Sequence, residues 1–159
     1  MTWGGATAGI DTAFAEGETQ SFLIADNVKI FKGDIVRLLT SGYASAQGAS
    51  AAADHATGDQ FVGVAMESVD NTLTGHVIGG KKITVCTKHG SVHTFKHGAT
   101  TTFTQAEVGT FAFNDVGSAA DSQTVSATGT HSCQVGAIVE IVSTTRVRVA
   151  ITPFSAIAS

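Results

Sequence analysis

Apolar residues along this chain recur at alternate positions or in short dense runs, with glycines between the runs. The densest run is Gln60-Phe61-Val62-Gly63-Val64-Ala65-Met66-Glu67-Ser68-Val69-Asp70. A two-residue period predicts a strand with Val62, Val64 and Met66 on one face and Glu67 on the other. The pattern returns at Cys133-Gln134-Val135-Gly136-Ala137-Ile138-Val139-Glu140-Ile141-Val142-Ser143. Val62 aligns with Val135, Gly63 with Gly136, Glu67 with Glu140 and Val69 with Val142. The matching face of the second run carries Val135, Ala137 and Val139. Both glycines fall on the outer face, where glycine marks a bulge or a close backbone neighbour.

The surroundings of the two runs also correspond. Gly33-Asp34 opens a strand over residues 35–39 that ends before Gly42, and Gly109 opens one over residues 110–113 that ends before Gly117. After each core run comes a β-branched partner, Ile83-Thr84-Val85 in the first half and Val147-Arg148-Val149 in the second. The offset between halves is 76 residues at Gly33, 73 at Gly63 and 64 at Ile83. Further strands are expected within 21–31, at Tyr43-Ala44-Ser45, over 91–95 and over 123–125. The Ala-, Gly- and Ser-rich stretch 46–59 reads as a loop, and Thr104 to Glu107 has capping-box spacing. Short strands separated by glycine turns predict an all-β fold, a small barrel or sandwich with internal duplication. The halves are expected at about 31–97 and 107–154, inside one domain spanning 21–159.

The closing hairpin is specific enough to give a register. To share a face with Val135, Ala137, Val139 and Ile141, the strand Val147, Val149, Ile151 must pair odd with odd. A three- or five-residue loop does this. It sets Val139 opposite Val149, Ile141 opposite Val147, and Glu140 opposite Arg148 on the outer face.

Residues 1–20 form a different kind of segment. Over Met1 to Gly17, small residues separate three large apolar ones, Trp3, Ile10 and Phe14. This reads as an extended arm whose large side chains fill pockets on a partner, tryptophan being enriched at interface hot spots. The alternative is a frayed terminus.

Composition narrows the function classes. Charged residues make up only 14% and hydrophobic ones 43%, with 18 glycines and one proline. So little charge on a chain rich in small residues fits a surface covered by other copies or a partner, or else a neutral all-β monomer. The net charge is −4, with no basic run beyond Lys81-Lys82, which argues against nucleic acid as a partner. No apolar run reaches the roughly 20 residues of a membrane helix, and the first residues do not read as a secretory signal. Cys86 and Cys133 lack metal-ligand spacing and read as small buried residues of a reducing compartment, a disulfide between them being left open.

His89, His93 and His97 are spaced by four, which is same-face spacing on a strand. Residues four apart on one strand lie roughly 13 Å apart, too far for one metal held at about 2 Å. They are expected on an exposed face, where a three-fold assembly could gather one from each subunit on its axis. There is no nucleophile elbow, phosphate loop or dinucleotide fingerprint. No catalytic residue, cofactor or metal is therefore expected. A small metal-dependent β-barrel enzyme using the histidines is the remaining catalytic alternative.

Residues Gly33 to Phe154 resemble the capsid cement, or head-decoration, proteins of tailed phages. The resemblance is carried by Gly33-Asp34-Ile35-Val36, Gly42, Val62-Gly63-Val64-Ala65-Met66-Glu67, Ile83-Thr84-Val85, Val108-Gly109, Val135-Gly136 and Pro153. It implies a small β-barrel or β-tulip-like domain without enzymatic activity. It also implies binding to the major capsid protein on the outer surface of the expanded virion shell, as homotrimers, after assembly in the host cytoplasm. A tail-tube or fibre-base module of a phage would share the same profile.

Overall fold

The computed structural model describes residues 17–46, 59–97, 103–114, 124–127 and 133–156. In chain order the strands are β1 (Thr19–Leu23), β2 (Lys29–Ile30), β3 (Ile35–Leu38), β4 (Ala44–Ala46), β5 (Gln60–Ala65), β6 (Val69–Asp70), β7 (Lys82–Cys86), β8 (Val92–His97), β9 (Phe111–Asn114), β10 (Thr124–Ser126), β11 (Gln134–Ser143), β12 (Arg146–Ile151) and β13 (Ser155–Ala156). The second half forms a closed five-stranded barrel in which β8-β12-β11-β9-β10 are successive neighbours and β10 pairs with β8 in parallel. The first half lays down β1-β7-β5-β3-β4 in the same order. Among the described residues its ends meet at one parallel bridge, between Ile24 and Ala44. The fold is all-β and duplicated.

The duplication holds residue by residue. Gly33 N–H donates to Ala65 C=O at 2.8 Å, and Gly109 N–H to Ile138 C=O at 2.7 Å. Ala65 N–H donates to Asp34 C=O and Ile138 N–H to Thr110 C=O, both at 2.9 Å. Val36 faces Gly63 and Arg37 faces Phe61; correspondingly, Ala112 faces Gly136 and Phe113 faces Gln134. On the other side, Val64 faces Cys86 and Ala65 faces Val85, matching Ala137 with Ala150 and Ile138 with Val149. The register therefore keeps the sequence offsets of 76, 73 and 64 residues. It also adds a pair the sequence did not reveal. Phe22 opposite Ile83 corresponds to Phe95 opposite Val147, so β1 is the counterpart of β8. The halves thus run Thr19–Cys86 and Val92–Ile151, and β8 opens the second half rather than closing the first.

Both Val-Gly pairs are bulges. Two residues of β5 oppose one step of β3 between Val36 and Arg37, and β11 does the same against β9 between Gln134 and Gly136. Glycine is required because a Cβ on Gly63 would lie 2.0 Å from the Cys86 carbonyl oxygen, and one on Gly136 2.0 Å from that of Ala150. Gly63 also has φ +146°.

The extra residue corrects the expected faces. Strict alternation put Val62, Val64 and Met66 together, but the bulge reverses the alternation beyond it. Val62 and Ala65 point into the first barrel, Phe61 and Val64 point outward, and Met66 is 46% exposed. In the copy, Val135 and Ile138 are the inward pair and Val139 is 44% exposed. The closing hairpin shows the same kind of correction. Its turn is Thr144-Thr145, with Ser143 opposite Arg146 and irregularities on either side of Glu140-Ile141. Ile141 faces Val147 and Glu140 faces Arg148 as expected, the latter pair at 2.6 Å, whereas Val149 faces Ile138 instead of Val139.

The interior of the first barrel is one cluster: Ile24, Val28, Ile30, Val36, Ala44, Ala46, Val62, Ala65, Ile83 and Val85. The interior of the second contains Phe95, Ala112, Val125, Val135, Ile138, Val147, Val149 and Ile151. Ile35, Phe61 and Val64 join this second cluster, although they sit on strands of the first barrel. They are outward residues of barrel one, and the second half covers them. The tail β13 reinforces the junction by pairing with β5, Ser155 opposite Phe61. Beside it, Arg37 and Asp59 form a buried ion pair at 3.4 Å, Asp59 also accepts from Thr40 N–H at 3.1 Å, and the Cys133 thiol lies 3.9 Å from the Asp59 carbonyl oxygen.

Between β8 and β9, Gln105–Glu107 makes a single 3-10 turn. Glu107 Oε2 accepts from both the backbone N–H and the hydroxyl of Thr104, as the spacing predicted. Those bonds hold the Glu107 carboxyl below its ordinary pKa.

Candidate binding surfaces

The three arm residues Trp3, Ile10 and Phe14 lie outside the described residues, as does most of the 46–59 loop. The three histidines are described, and two of them correct the expectation of an exposed face. On β8 the odd residues point into the barrel, so His93 and His97 flank the buried Phe95 and are themselves half-buried. The His93 ring lies 6.3 Å from that of Phe95, and the His97 ring packs edge-on against Phe103 at 5.5 Å. His93 Nε2 is 3.0 Å from the Ser91 hydroxyl, and burial lowers the pKa of His93. His89 lies apart from both, exposed in the turn between β7 and β8. Among the described residues no three His, Cys, Asp or Glu side chains converge as a metal would require.

Both described cysteines are free thiols. Burial beside Asp59 pushes the Cys133 pKa up to about 12, against the opposing pull of Arg37. Cys86 is partly exposed, 3.7 Å from the Ser91 hydroxyl.

A surface the sequence reading missed is the connection between β6 and β7. In the second half the equivalent strands are joined by the two-residue turn Thr144-Thr145; the fall in offset from 73 to 64 makes the first connection nine residues longer. That drop in offset was the available signal in the sequence. The connection is well ordered by polar anchors. The buried Asn71 amide donates to the carbonyls of Ala25 and Val77, both at 3.0 Å. Gly79 N–H donates to Ile24 C=O at 2.8 Å, and His76 Nδ1 lies 2.6 Å from Asp26 Oδ1. At its root Asp70, hydrogen-bonded by Thr72 and paired with Lys29 at 3.3 Å, has its pKa lowered to about 2.

The loop's apolar side chains do not serve the core. Leu73 is 60% exposed, Val77 59% and Ile78 53%. Leu73 and Val77 border a pocket of about 270 Å³ lined also by Asn71, His76 and Lys81. Lys81 and Lys82 stand exposed at the loop's end. A hydrogen-bond-anchored loop presenting aliphatic side chains beside ammonium groups has the chemistry of a docking surface for a protein with an apolar patch and acidic rim. Comparison with known proteins finds no matching family model, no matching curated protein and no matching solved structure.

Proposed function

We propose that this chain is a structural protein of a phage virion that binds the outer surface of the expanded capsid and stabilises contacts between major capsid subunits. The observation that carries the reading is the added loop. One half of a duplicated scaffold gained an ordered connection whose exposed Leu73, Val77 and Ile78 add nothing to its own core. The glycine-anchored pattern behind the resemblance to cement proteins supports the same reading, because two of its Val-Gly pairs, Val62-Gly63 and Val135-Gly136, are structural bulges. The arm with Trp3, Ile10 and Phe14 belongs to the proposal as a second contact. The role is binding, not catalysis, and its mechanism is mass action: a ligand held only by the expanded shell stabilises that shell.

The test is cosedimentation of the full chain with expanded and unexpanded heads of the phage that carries it. Binding to expanded heads, with a higher temperature of head disruption, is the expected result. Replacing Leu73, Val77 and Ile78 together by Asp should weaken binding by about a hundredfold or more, as loss of a buried apolar anchor does, with the fold unchanged. Failure of the full chain to bind heads overturns the proposal.

A further inference from the structure

The pocket in the connection between β6 and β7 has one charge left over. Asp70, Asn71, Leu73, His76, Val77 and Lys81 are among the residues that line it. Most of its polar side chains are committed within the chain. The Asp70 carboxylate accepts from the backbone N–H and the hydroxyl of Thr72 and is paired with Lys29. The Asn71 amide donates to the carbonyls of Ala25 and Val77. His76 Nδ1 lies against Asp26, and since a carboxylate only accepts, that nitrogen carries the proton. Lys81 differs from these. Lys29 and Lys88 have carboxylate partners, Asp70 and Glu18. Among the described residues the contact of Lys81 is a backbone carbonyl, its Nζ donating to Asp70 C=O at 2.5 Å. That bond holds an ammonium at the pocket wall with N–H donors to spare. The apolar surface also runs on beyond the pocket. Ile78, more than half exposed, is not part of the lining, and Leu23, 41% exposed, adjoins Gly79.

We infer that this pocket receives an Asp or Glu side chain of a partner protein, with its carboxylate on Lys81 Nζ and its apolar sequence neighbours on Leu73, Val77 and Ile78. The inference rests on the docking role proposed for this loop and names what the loop recognises. Charge selects the ligand, because an ammonium without a counter-charge beside aliphatic walls favours an anion carried on an apolar segment. A phosphate fits less well. It carries up to two charges and is held best by bidentate arginine, and no described arginine lines the pocket. A free small carboxylate leaves Ile78 and Leu23 uncovered, so the ligand that matches the whole surface is a polypeptide. The loop is ordered beforehand by Asn71 and by Gly79 N–H on Ile24 C=O, which lowers the entropy lost on binding. The second half has no equivalent site, since its connection is the turn Thr144-Thr145.

The experiment is an amide NMR titration of the full chain, at neutral pH and low salt, with acetyl-Leu-Glu-Leu-amide and with acetyl-Leu-Gln-Leu-amide. The expected result is saturable shifts over residues 71–81, with the Glu peptide bound about two- to fivefold more tightly than the Gln peptide, the worth of an exposed ion pair. Lys81→Met keeps the aliphatic stem. It should abolish that preference while leaving the Gln peptide's affinity unchanged, and Lys82→Met should leave the preference intact. Should Lys81→Met disturb the loop, seen as shifts at Gly79 and Gly80 before any peptide is added, salt decides on the wild-type chain: the preference should vanish at high ionic strength. Equal binding of the two peptides to the wild-type chain overturns the inference. So does a preference that survives Lys81→Met or high salt, and so does the absence of saturable shifts over 71–81 with either peptide. A Glu preference in a chain that ignores heads removes only the capsid proposal, and a chain that binds heads but treats the two peptides alike removes only this one.

Discussion

The two barrels have the same strand order, the same bulges and the same hydrogen bonds into them, yet they differ in how they finish. The second barrel closes with a parallel ladder at Thr124-Lys96 and Val125-His97, whereas among the described residues the first is held by the single bridge Ile24-Ala44. The first carries the long anchored connection 71–81, and the second has a two-residue turn. The outer face of the first is buried, and that of the second is open. What the halves share is therefore what folding requires, and what they do not share marks the surfaces available for binding. A large apolar side chain means different things at equivalent positions: Val64 belongs to the core, while Phe111 belongs to a surface.

The largest expected effects fall on features common to both halves. Gly63→Ala and Gly136→Ala should each destabilise the fold by roughly 1–3 kcal/mol through overpacking. Gly63 should lose about 1–3 kcal/mol more, because its φ of +146° disfavours any side chain. Urea unfolding checks this, and a neutral Gly136→Ala beside a damaging Gly63→Ala would break the equivalence of the bulges.

A smaller effect is expected at an anchor found only in the first half. Asn71→Leu leaves the Ala25 and Val77 carbonyls without their amide donor. The cost should be roughly 1–3 kcal/mol, with faster hydrogen exchange at Gly79 and Gly80 and no change in β8–β12. Uniform loss of protection in both barrels would show that the loop is part of the common scaffold.

The smallest effect distinguishes the second barrel. His93 has its pKa lowered by burial, so the folded state favours the neutral ring. Its stabilising contribution is complete above its ordinary value near 6.5 and is lost as pH falls from there through the lowered value. Stability of the wild-type chain should fall slightly over that window, and His93→Gln should flatten it. An unchanged pH profile in the variant would exclude His93 as the source.

Much of the scaffold was legible because glycine spacing records backbone constraints. Gly63 and Gly136 sit against a close carbonyl that admits no side chain, and Gly33 and Gly109 sit in turns at positive φ that favours glycine, so the offsets remain visible where other residues differ. The faces were not legible, because a bulge reverses alternation without leaving a mark in polarity: Phe61-Val62-Gly63-Val64-Ala65 is apolar throughout and buried on both sides. The correspondence of β1 with β8 was hidden because Thr19–Leu23 is mostly exposed while its counterpart carries the histidines. The histidine orientation was lost for a related reason. Alternation in β8 puts the imidazoles inward with Phe95 and leaves Val92 outside, against the usual order of polarity. The exposed tip of the 71–81 loop could not be read from composition, since Leu73, Val77 and Ile78 look like core residues.

The central claim is that equivalent outward positions are covered in one barrel and open in the other. Val64 and Ala137 occupy the same place in the two registers, with 64 facing Cys86 and 137 facing Ala150. The most direct measurement is equilibrium unfolding of Val64→Asp and Ala137→Asp, each against wild type, at neutral pH and below the concentration of any self-association. Val64→Asp should cost roughly 3–5 kcal/mol, the penalty of an uncompensated buried carboxylate. Ala137→Asp should cost about 1 kcal/mol or less, as a surface substitution does. Equal losses at the two positions would contradict the account.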